Sequence, residues 1–129
     1  MTTKEIGKKL ADYCRAGDYV KAIDELYADD AEGHENYLAG AKMNGKAAIR
    51  GGTEHWLAVN TLENNVVDEP LYCGNQFVVR FTGKMVKKDG SGEQAYEEVG
   101  LYTVKDGKIS RQDFFYEHPD VPAANEDQA

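Results

Sequence analysis

The first quarter of the chain repeats apolar and polar residues with the period of an α-helix. Its apolar positions recur at spacings of three and four residues, first at Ile6, Leu10, Tyr13 and Cys14, then at Val20, Ile23, Leu26 and Tyr27. Thr2 and Thr3 are suited to cap the first helix, and Gly17 is suited to end it. The pattern predicts two short consecutive helices, the second beginning after Asp18.

From Leu62 onward the period changes to two, as in strands that bury one face. The predicted strands cover residues 63–72, 76–87, 93–105 and 108–117. Asp106-Gly107 favours a type I′ turn between the last two. Before them we expect a short strand at 31–35, a mobile loop up to residue 44 and a third helix at 46–60. This order predicts an α+β domain whose helices cover one face of a curved antiparallel sheet.

Length and charge narrow the possible functions. The 129 residues suit one domain, which we place at 1–117, with a disordered tail at 118–129. The net charge of −8 would repel a phosphate backbone, so nucleic acid is not an expected partner. No apolar run approaches the roughly 20 residues that span a membrane, so we expect no membrane insertion. With 2 cysteines and no apolar leader, a cytoplasmic location is the simplest expectation.

Four short motifs together resemble the landmarks of SnoaL-like proteins, which belong to the nuclear transport factor 2-like superfamily. They are AGD at 16–18, YADDA at 27–31, GKAAIR at 45–50 and DGKI at 106–109. The resemblance implies a cone-shaped α+β barrel, in which a strongly bent mixed or antiparallel sheet wraps the N-terminal helices and leaves a pocket. It also implies a frequent homodimer. Members of this superfamily include isomerases, polyketide cyclases, dehydratases, hydrolases and binding proteins, so the fold does not select the function.

Glu35 is the first candidate for chemistry. If its strand alternates regularly, Glu35 and Gly33 share one face while Glu32 and His34 share the other. The resemblance implies that Glu35 falls where ketosteroid isomerases carry their carboxylate base. A carboxylate in an apolar cone has a raised pKa and can move a proton next to a carbonyl group. The alternative is an exposed loop carboxylate.

A base of this kind needs a hydrogen-bond partner for the enolate oxygen. The tyrosine that the isomerases use falls at Leu10 here, so Tyr13, one turn later, is a candidate donor, or else a core residue. Glu98 is the second candidate, because a strand that buries Tyr102 also turns Glu98 inward. The opposite phase would bury Val99 and leave Glu98 in solvent, and both phases stay open.

The last strand carries aromatic residues on both faces. Its odd-numbered face holds Asp113, the nearest match to an aspartate that polyketide cyclases of the family use as an acid or base. A surface ion pair between Arg111 and Asp113 is the alternative. Phe115 lies on the same face, so we expect one face of this strand to line the cone and the other to meet a second copy of the chain.

The remaining predictions concern the pocket and its contents. We expect a mostly apolar pocket for a small apolar organic molecule, with ligand-binding side chains Trp56, Phe77, Phe81, Met85, Tyr102 and Phe114. The 3 histidines form no metal-binding pattern, and we expect neither a metal nor a cofactor. The predicted function is a cofactor-independent isomerase, cyclase or dehydratase working by carboxylate proton transfer. The alternative is a non-catalytic ligand-binding or dimerisation module.

Overall fold

The computed structural model describes residues 1–35 and 42–116. In this part of the chain, in order, lie α1 (Thr3–Arg15), α2 (Tyr19–Leu26), β1 (Tyr27–Glu35), β2 (Lys42–Asn44), α3 (Lys46–Val59), β3 (Asn60–Val67), β4 (Leu71–Cys73), β5 (Gln76–Lys87), β6 (Glu93–Lys105) and β7 (Lys108–Tyr116). The predicted tail at 118–129 and most of the predicted loop lie outside the described residues. The described end of that loop, residues 42–44, forms β2.

The N-terminal helix begins as its sequence predicts. The Thr2 side chain accepts a hydrogen bond from the backbone of Glu5, and the Glu5 side chain accepts one from the backbone of Thr2. This reciprocal capping box satisfies two amide groups that the helix itself leaves unpaired. The helix then buries one stripe, at Ile6, Gly7, Leu10, Ala11 and Cys14.

The strands form one sheet in the order β2-β1-β7-β6-β5-β3, with β4 paired to β5. β1 runs parallel to β7, and the other described pairs are antiparallel. The sheet is therefore mixed, which confirms the expected α+β fold class but corrects the expectation of a simple antiparallel sheet. The chain reaches β7 from β1 only after all the intervening elements, a long-range pairing that local periodicity does not reveal.

The predicted strand at 63–72 is wrong, because the chain forms two separate strands there. β3 ends at Val67 and β4 starts at Leu71, with Pro70 between them. A proline has no N–H to donate to a sheet ladder, so it is disfavoured inside a paired strand. The predicted hairpin at Asp106-Gly107 is confirmed, with φ values of 53° and 74°, both in the left-handed region that a type I′ turn requires.

A bulge in β3 decides which of its side chains face inward. The register with β5 shifts between Glu63 and Val66, and Asn64 has a φ of 52°. Beyond the shift, Asn65 turns toward the concave side and Val67 is buried, whereas Val66 is 52% exposed. Bulges re-aim side chains in this way, and a regular strand would have turned Asn65 outward.

The concave side of the sheet has a packed level and an open level. At the packed level Phe77 pairs with Tyr102, their rings are stacked with centroids 5.0 Å apart, and Ile6 and Ile109 are fully buried. Four residues further along β5, Phe81 pairs with Glu98 and faces a cavity. The helices and strongly curved sheet thus leave a pocket at one end. Among the described residues, no helix is long and apolar enough to cross a membrane.

Candidate functional site

The cavity has a volume of about 680 Å³, which is within the range of small-molecule sites. It lies between the concave face of the sheet and the three helices. Aromatic side chains form much of its wall: Tyr19, Tyr27, Trp56, Phe81, Tyr96, Tyr102, Phe114 and Tyr116. Its size and its lining suit an organic molecule with an apolar body.

Glu35 faces this cavity from the end of β1. The predicted alternation is confirmed, since Gly33 is buried on the same side while Glu32 contacts His34 and Lys42 on the other side. The Glu35 carboxylate accepts a hydrogen bond from the hydroxyl of Tyr116. Burial raises the pKa of Glu35, and this hydrogen bond partly offsets the increase.

Glu98 also faces the cavity. Of the two alternations left open for β6, the one that turns Glu98 inward is therefore the one that the structure has. Gly100, Tyr102 and Val104 are buried on the inner side, whereas Val99 and Leu101 are partly exposed. A side chain at Gly100 would approach the rings of Tyr102 and Phe114 within 2.8 to 3.0 Å, so glycine is needed for these rings to fit. The apolar run at 99–102 concealed this alternation in the sequence.

The two carboxylates lie on either side of β7. Glu35 pairs with Phe114, and Glu98 pairs with Tyr116 two residues further along. Burial, followed by the charge of Glu35, raises the pKa of Glu98 to about 7. The negative charge of Glu35 opposes ionisation of Glu98. Near neutral pH the cavity therefore holds a Glu98 carboxyl group that is still partly protonated.

Tyr13 is not the hydrogen-bond partner proposed from the sequence. It lies outside the cavity, and its hydroxyl donates a hydrogen bond to Glu25 of α2. Lys21 lies over its ring at 5.6 Å from the centroid. The inner stripe of α1 reaches the cavity through Leu10 and Cys14, while Tyr13 projects toward α2.

Asp113 is also placed away from the cavity. Gln112 and Phe114 line the cavity, so strand alternation turns Asp113 to the outer face. There its carboxylate accepts two hydrogen bonds from Arg111, at 2.8 and 2.9 Å. The surface-pair alternative was correct about this contact, and Asp113 cannot reach a ligand in the cavity.

Five of the six predicted ligand-binding residues line the cavity: Trp56, Phe81, Met85, Tyr102 and Phe114. The sixth, Phe77, lies beneath Tyr102 in the packed level and is 1% exposed. Phe77 therefore shapes the floor without reaching the cavity. The error arose because periodicity identifies the inner face of a strand but not how deep each residue lies.

Sequence reasoning missed several polar groups of the cavity wall. Tyr19, Asn65 and Tyr96 form one hydrogen-bonded cluster there, and the Tyr27 hydroxyl donates to Gln112 in another. The bulge that turns Asn65 inward has no signature in the residue pattern. Tyr19 stands at the predicted start of a helix and could have been found by its spacing from Ile23.

The described cavity wall contains acidic side chains but no lysine or arginine to balance their charge. Its one described histidine, His55, is exposed at the mouth. Within residues 1–35 and 42–116 no cluster of side chains is placed to hold a metal ion. Burial raises the pKa of Cys14 to about 12, so this thiol is protonated and unsuited to nucleophilic attack at neutral pH.

Known proteins share both the sequence pattern and the fold. The family model of the SnoaL-like domain matches residues 1–116. The chain belongs to the SnoaL-like family. A protein assigned as a SnoaL-like polyketide cyclase from Mesorhizobium loti is 33% identical, with a TM-score of 0.83 over 90% of this chain and 100% of that one. No protein among the curated sequences matches.

Two more distant structures show the breadth of the SnoaL-like fold. A protein with a cystatin-like fold from Xanthomonas campestris is 19% identical, with a TM-score of 0.74 over 92% of each chain. A protein with a ketosteroid isomerase-like fold from Catenulispora acidiphila, in complex with trimethylamine, is 20% identical, with a TM-score of 0.70 over 91% of this chain and 88% of that one. The cone expected from the resemblance is thus confirmed, and the similarity to the Mesorhizobium loti protein relates this SnoaL-like chain to polyketide cyclases.

Proposed function

We propose that this SnoaL-like protein catalyses proton transfer on a small, mostly apolar carbonyl compound, as in an isomerase, cyclase or dehydratase. The observation that carries the proposal is the pair of inward carboxylates in one aromatic cavity. Burial raises the pKa of both groups, and burial together with the charge of Glu35 raises that of Glu98 to about 7. Two carboxyl groups whose pKa values differ can act as base and acid in the same reaction.

In this mechanism the ionised Glu35 removes a proton from the carbon next to the carbonyl group. The electron pair moves toward the carbonyl oxygen, which accepts a hydrogen bond or a proton from neutral Glu98. Glu35 then returns its proton to the same or a different carbon, and the oxygen returns to Glu98 any proton that it received as the carbonyl group re-forms, so the protein regains its starting state. The aromatic wall holds the apolar body of the substrate and excludes water from the two carboxyl groups.

A carboxyl-carbon NMR titration tests the electrostatic basis, with resonances assigned through Glu35→Gln and Glu98→Gln. We expect Glu98 to titrate with a midpoint of about 7 and Glu35 above its ordinary value. In Glu35→Gln the midpoint of Glu98 should fall, because the neighbouring charge is gone. Ordinary values for both groups would place them in water and overturn the proposal.

The chemistry itself is tested by hydrogen exchange. Acetophenone incubated with the protein in deuterated water should exchange its methyl protons faster than in buffer, as followed by proton NMR. The exchange rate should require ionised Glu35 and should not require any added cofactor. Exchange no faster than in buffer, with acetophenone bound, would count against proton transfer.

A binding module without chemistry is the second candidate. The Catenulispora acidiphila protein of similar fold is in complex with trimethylamine, which supports small-ligand binding by a protein of this fold. In that case ligands would bind with unchanged affinity in Glu35→Gln and undergo no exchange in either protein.

We also propose that the outer sheet face pairs with a second copy of the chain. Phe115 is 48% exposed on this face and pairs with Val99, which is partly exposed as well. Burying such side chains against an identical surface would give a two-fold dimer. Phe115→Asp should lower the mass found by analytical ultracentrifugation to that of a monomer, whereas Lys8→Asp on the helical side should not. A monomeric parent protein would contradict this proposal.

A further inference from the structure

The hydrogen-bonded cluster in the cavity wall consists of Tyr19, Asn65 and Tyr96. The Asn65 amide nitrogen lies 2.7 Å from the Tyr19 hydroxyl, and the Asn65 amide oxygen lies 2.5 Å from the Tyr96 hydroxyl. The same nitrogen lies 3.4 Å from the backbone oxygen of Cys14. All three side chains of the cluster line the cavity.

The Cys14 carbonyl determines the orientation of the Asn65 amide. A carbonyl oxygen can only accept a hydrogen bond, so the amide atom that faces it must be the NH₂ group. The amide oxygen then faces Tyr96, and the Tyr96 hydroxyl must donate to it. The second amide hydrogen points to Tyr19, whose hydroxyl oxygen accepts it.

This chain of donors and acceptors leaves the proton of Tyr19 for another acceptor. A tyrosine hydroxyl has one proton to donate, and its bond to Asn65 uses the oxygen as an acceptor. Among residues 1–35 and 42–116, no side chain or carbonyl accepts a hydrogen bond from Tyr19. The ring packs edge-on against Trp56, with centroids 6.5 Å apart, which limits its movement.

We propose that Tyr19 donates a hydrogen bond to an oxygen atom of the bound molecule, and that Asn65 and Tyr96 orient it for this purpose. The ligand class is a compound with an apolar body and one acceptor oxygen, such as a ketone or its enolate. The inference rests on the proposed function for the site, but it assigns a donor separate from both carboxylates. Hydrogen bonds in such a chain polarise one another, so the Tyr96 and Asn65 links strengthen the donor at Tyr19.

The test is the carbonyl stretching frequency of carbon-13-labelled acetophenone bound to the protein. It is measured at about pH 9, where Glu98 is ionised and can no longer donate a hydrogen bond. We expect a shift to lower frequency relative to apolar solvent, which Tyr19→Phe abolishes while weakening binding roughly fivefold to tenfold. Asn65→Leu should reduce the shift, since Tyr19 loses the group that orients it.

The matched control is Tyr72→Phe. The Tyr72 hydroxyl donates to the backbone oxygen of Lys4 outside the cavity, so the same chemical change there should leave the carbonyl frequency unaltered. Near-ultraviolet circular dichroism confirms that each variant keeps its packing. An unshifted carbonyl in the parent protein, an equal shift in Tyr19→Phe, or no binding of acetophenone would overturn the assignment.

The two experiments distinguish a failure of the Tyr19 proposal from a failure of the proposed function. A frequency shift that depends on Tyr19, without any methyl exchange, would keep the donor and refute proton transfer. Exchange that depends on Glu35, with a frequency shift indifferent to Tyr19, would keep the enzyme and refute the donor.

Discussion

The two faces of the sheet place glutamate side chains in opposite environments. On the outer face Glu32 contacts His34 and Lys42, and Glu97 contacts Arg80 at 3.0 Å. On the inner face Glu35 and Glu98 have no cationic partner among the described residues that line the cavity. Neighbouring residues of one strand, Glu97 and Glu98, therefore experience different environments.

The difference appears in the pKa values. The contacts with His34 and Lys42 lower the pKa of Glu32, whereas burial raises the pKa of Glu35 on the same strand. At the solvent-exposed face, a neighbouring cation favours the ionised form of a carboxyl group. In an aromatic cavity, the loss of hydration disfavours the ionised form. Ion pairing thus distinguishes the outer carboxylates from the two inner ones, which are the pair that the proposed function uses.

The largest expected difference between an inner-face variant and an outer-face variant is in the rate of proton transfer. Glu35→Gln should slow the methyl exchange of acetophenone at least a hundredfold, because the base is lost while the shape is kept. Glu32→Gln makes the same change on the outer face of the same strand and should leave the rate unaltered. Equal losses in both variants would show that the inner position has no special role.

The next effect is on the pH dependence of stability. The folded pKa of Glu98, about 7, lies above the ordinary value of 4.5, so between these pH values the folded state binds more protons than the unfolded state. The free energy of unfolding should therefore fall as the pH rises through this window, by on the order of 2–3 kcal/mol, and then level off.

Urea titrations of Glu98→Gln and Glu97→Gln measure this contribution. The first variant should lose most of the decline between pH 4.5 and about 7, since an amide does not titrate, and the remainder comes from Glu35, whose pKa is also raised. The second should retain it, because Glu97 lies on the outer face beside Arg80. An undiminished decline in Glu98→Gln would mean that a group other than Glu98 causes it.

A smaller effect is expected at Asp113, whose side chain is 9% exposed beside Arg111. Asp113→Asn weakens a charge-assisted, two-pronged hydrogen bond, so we expect the melting temperature to fall by a few degrees. The exchange rate of acetophenone at saturation should stay the same. A large loss of activity with normal melting would restore Asp113 as a catalytic candidate.

The smallest effect is expected at Tyr13. Its hydroxyl bonds to Glu25 at the surface between two helices, so Tyr13→Phe should leave ligand affinity and exchange unaltered. Comparison with Tyr19→Phe in the same binding assay makes the contrast direct, since both variants remove one tyrosine hydroxyl. Weaker binding in Tyr13→Phe than in Tyr19→Phe would reverse our placement of the donor.

Local chemistry in the sequence determined much of this protein. The capping box at Thr2, the turn at Asp106-Gly107, and the opposite faces of Glu32 and Glu35 all follow from neighbouring residues. Such features were predictable because capping, turn geometry and strand alternation act over a few residues.

Tertiary structure decided the rest. The run at 99–102 is apolar on both faces, so only pairing with β5 and β7 fixed Glu98 inward. The bulge at Asn64 brought Asn65 to Tyr19, and the packing of α1 on α2 turned Tyr13 away from the cavity. Each outcome depends on register between segments far apart in the chain, and a shift of one residue reverses the face of every side chain that follows.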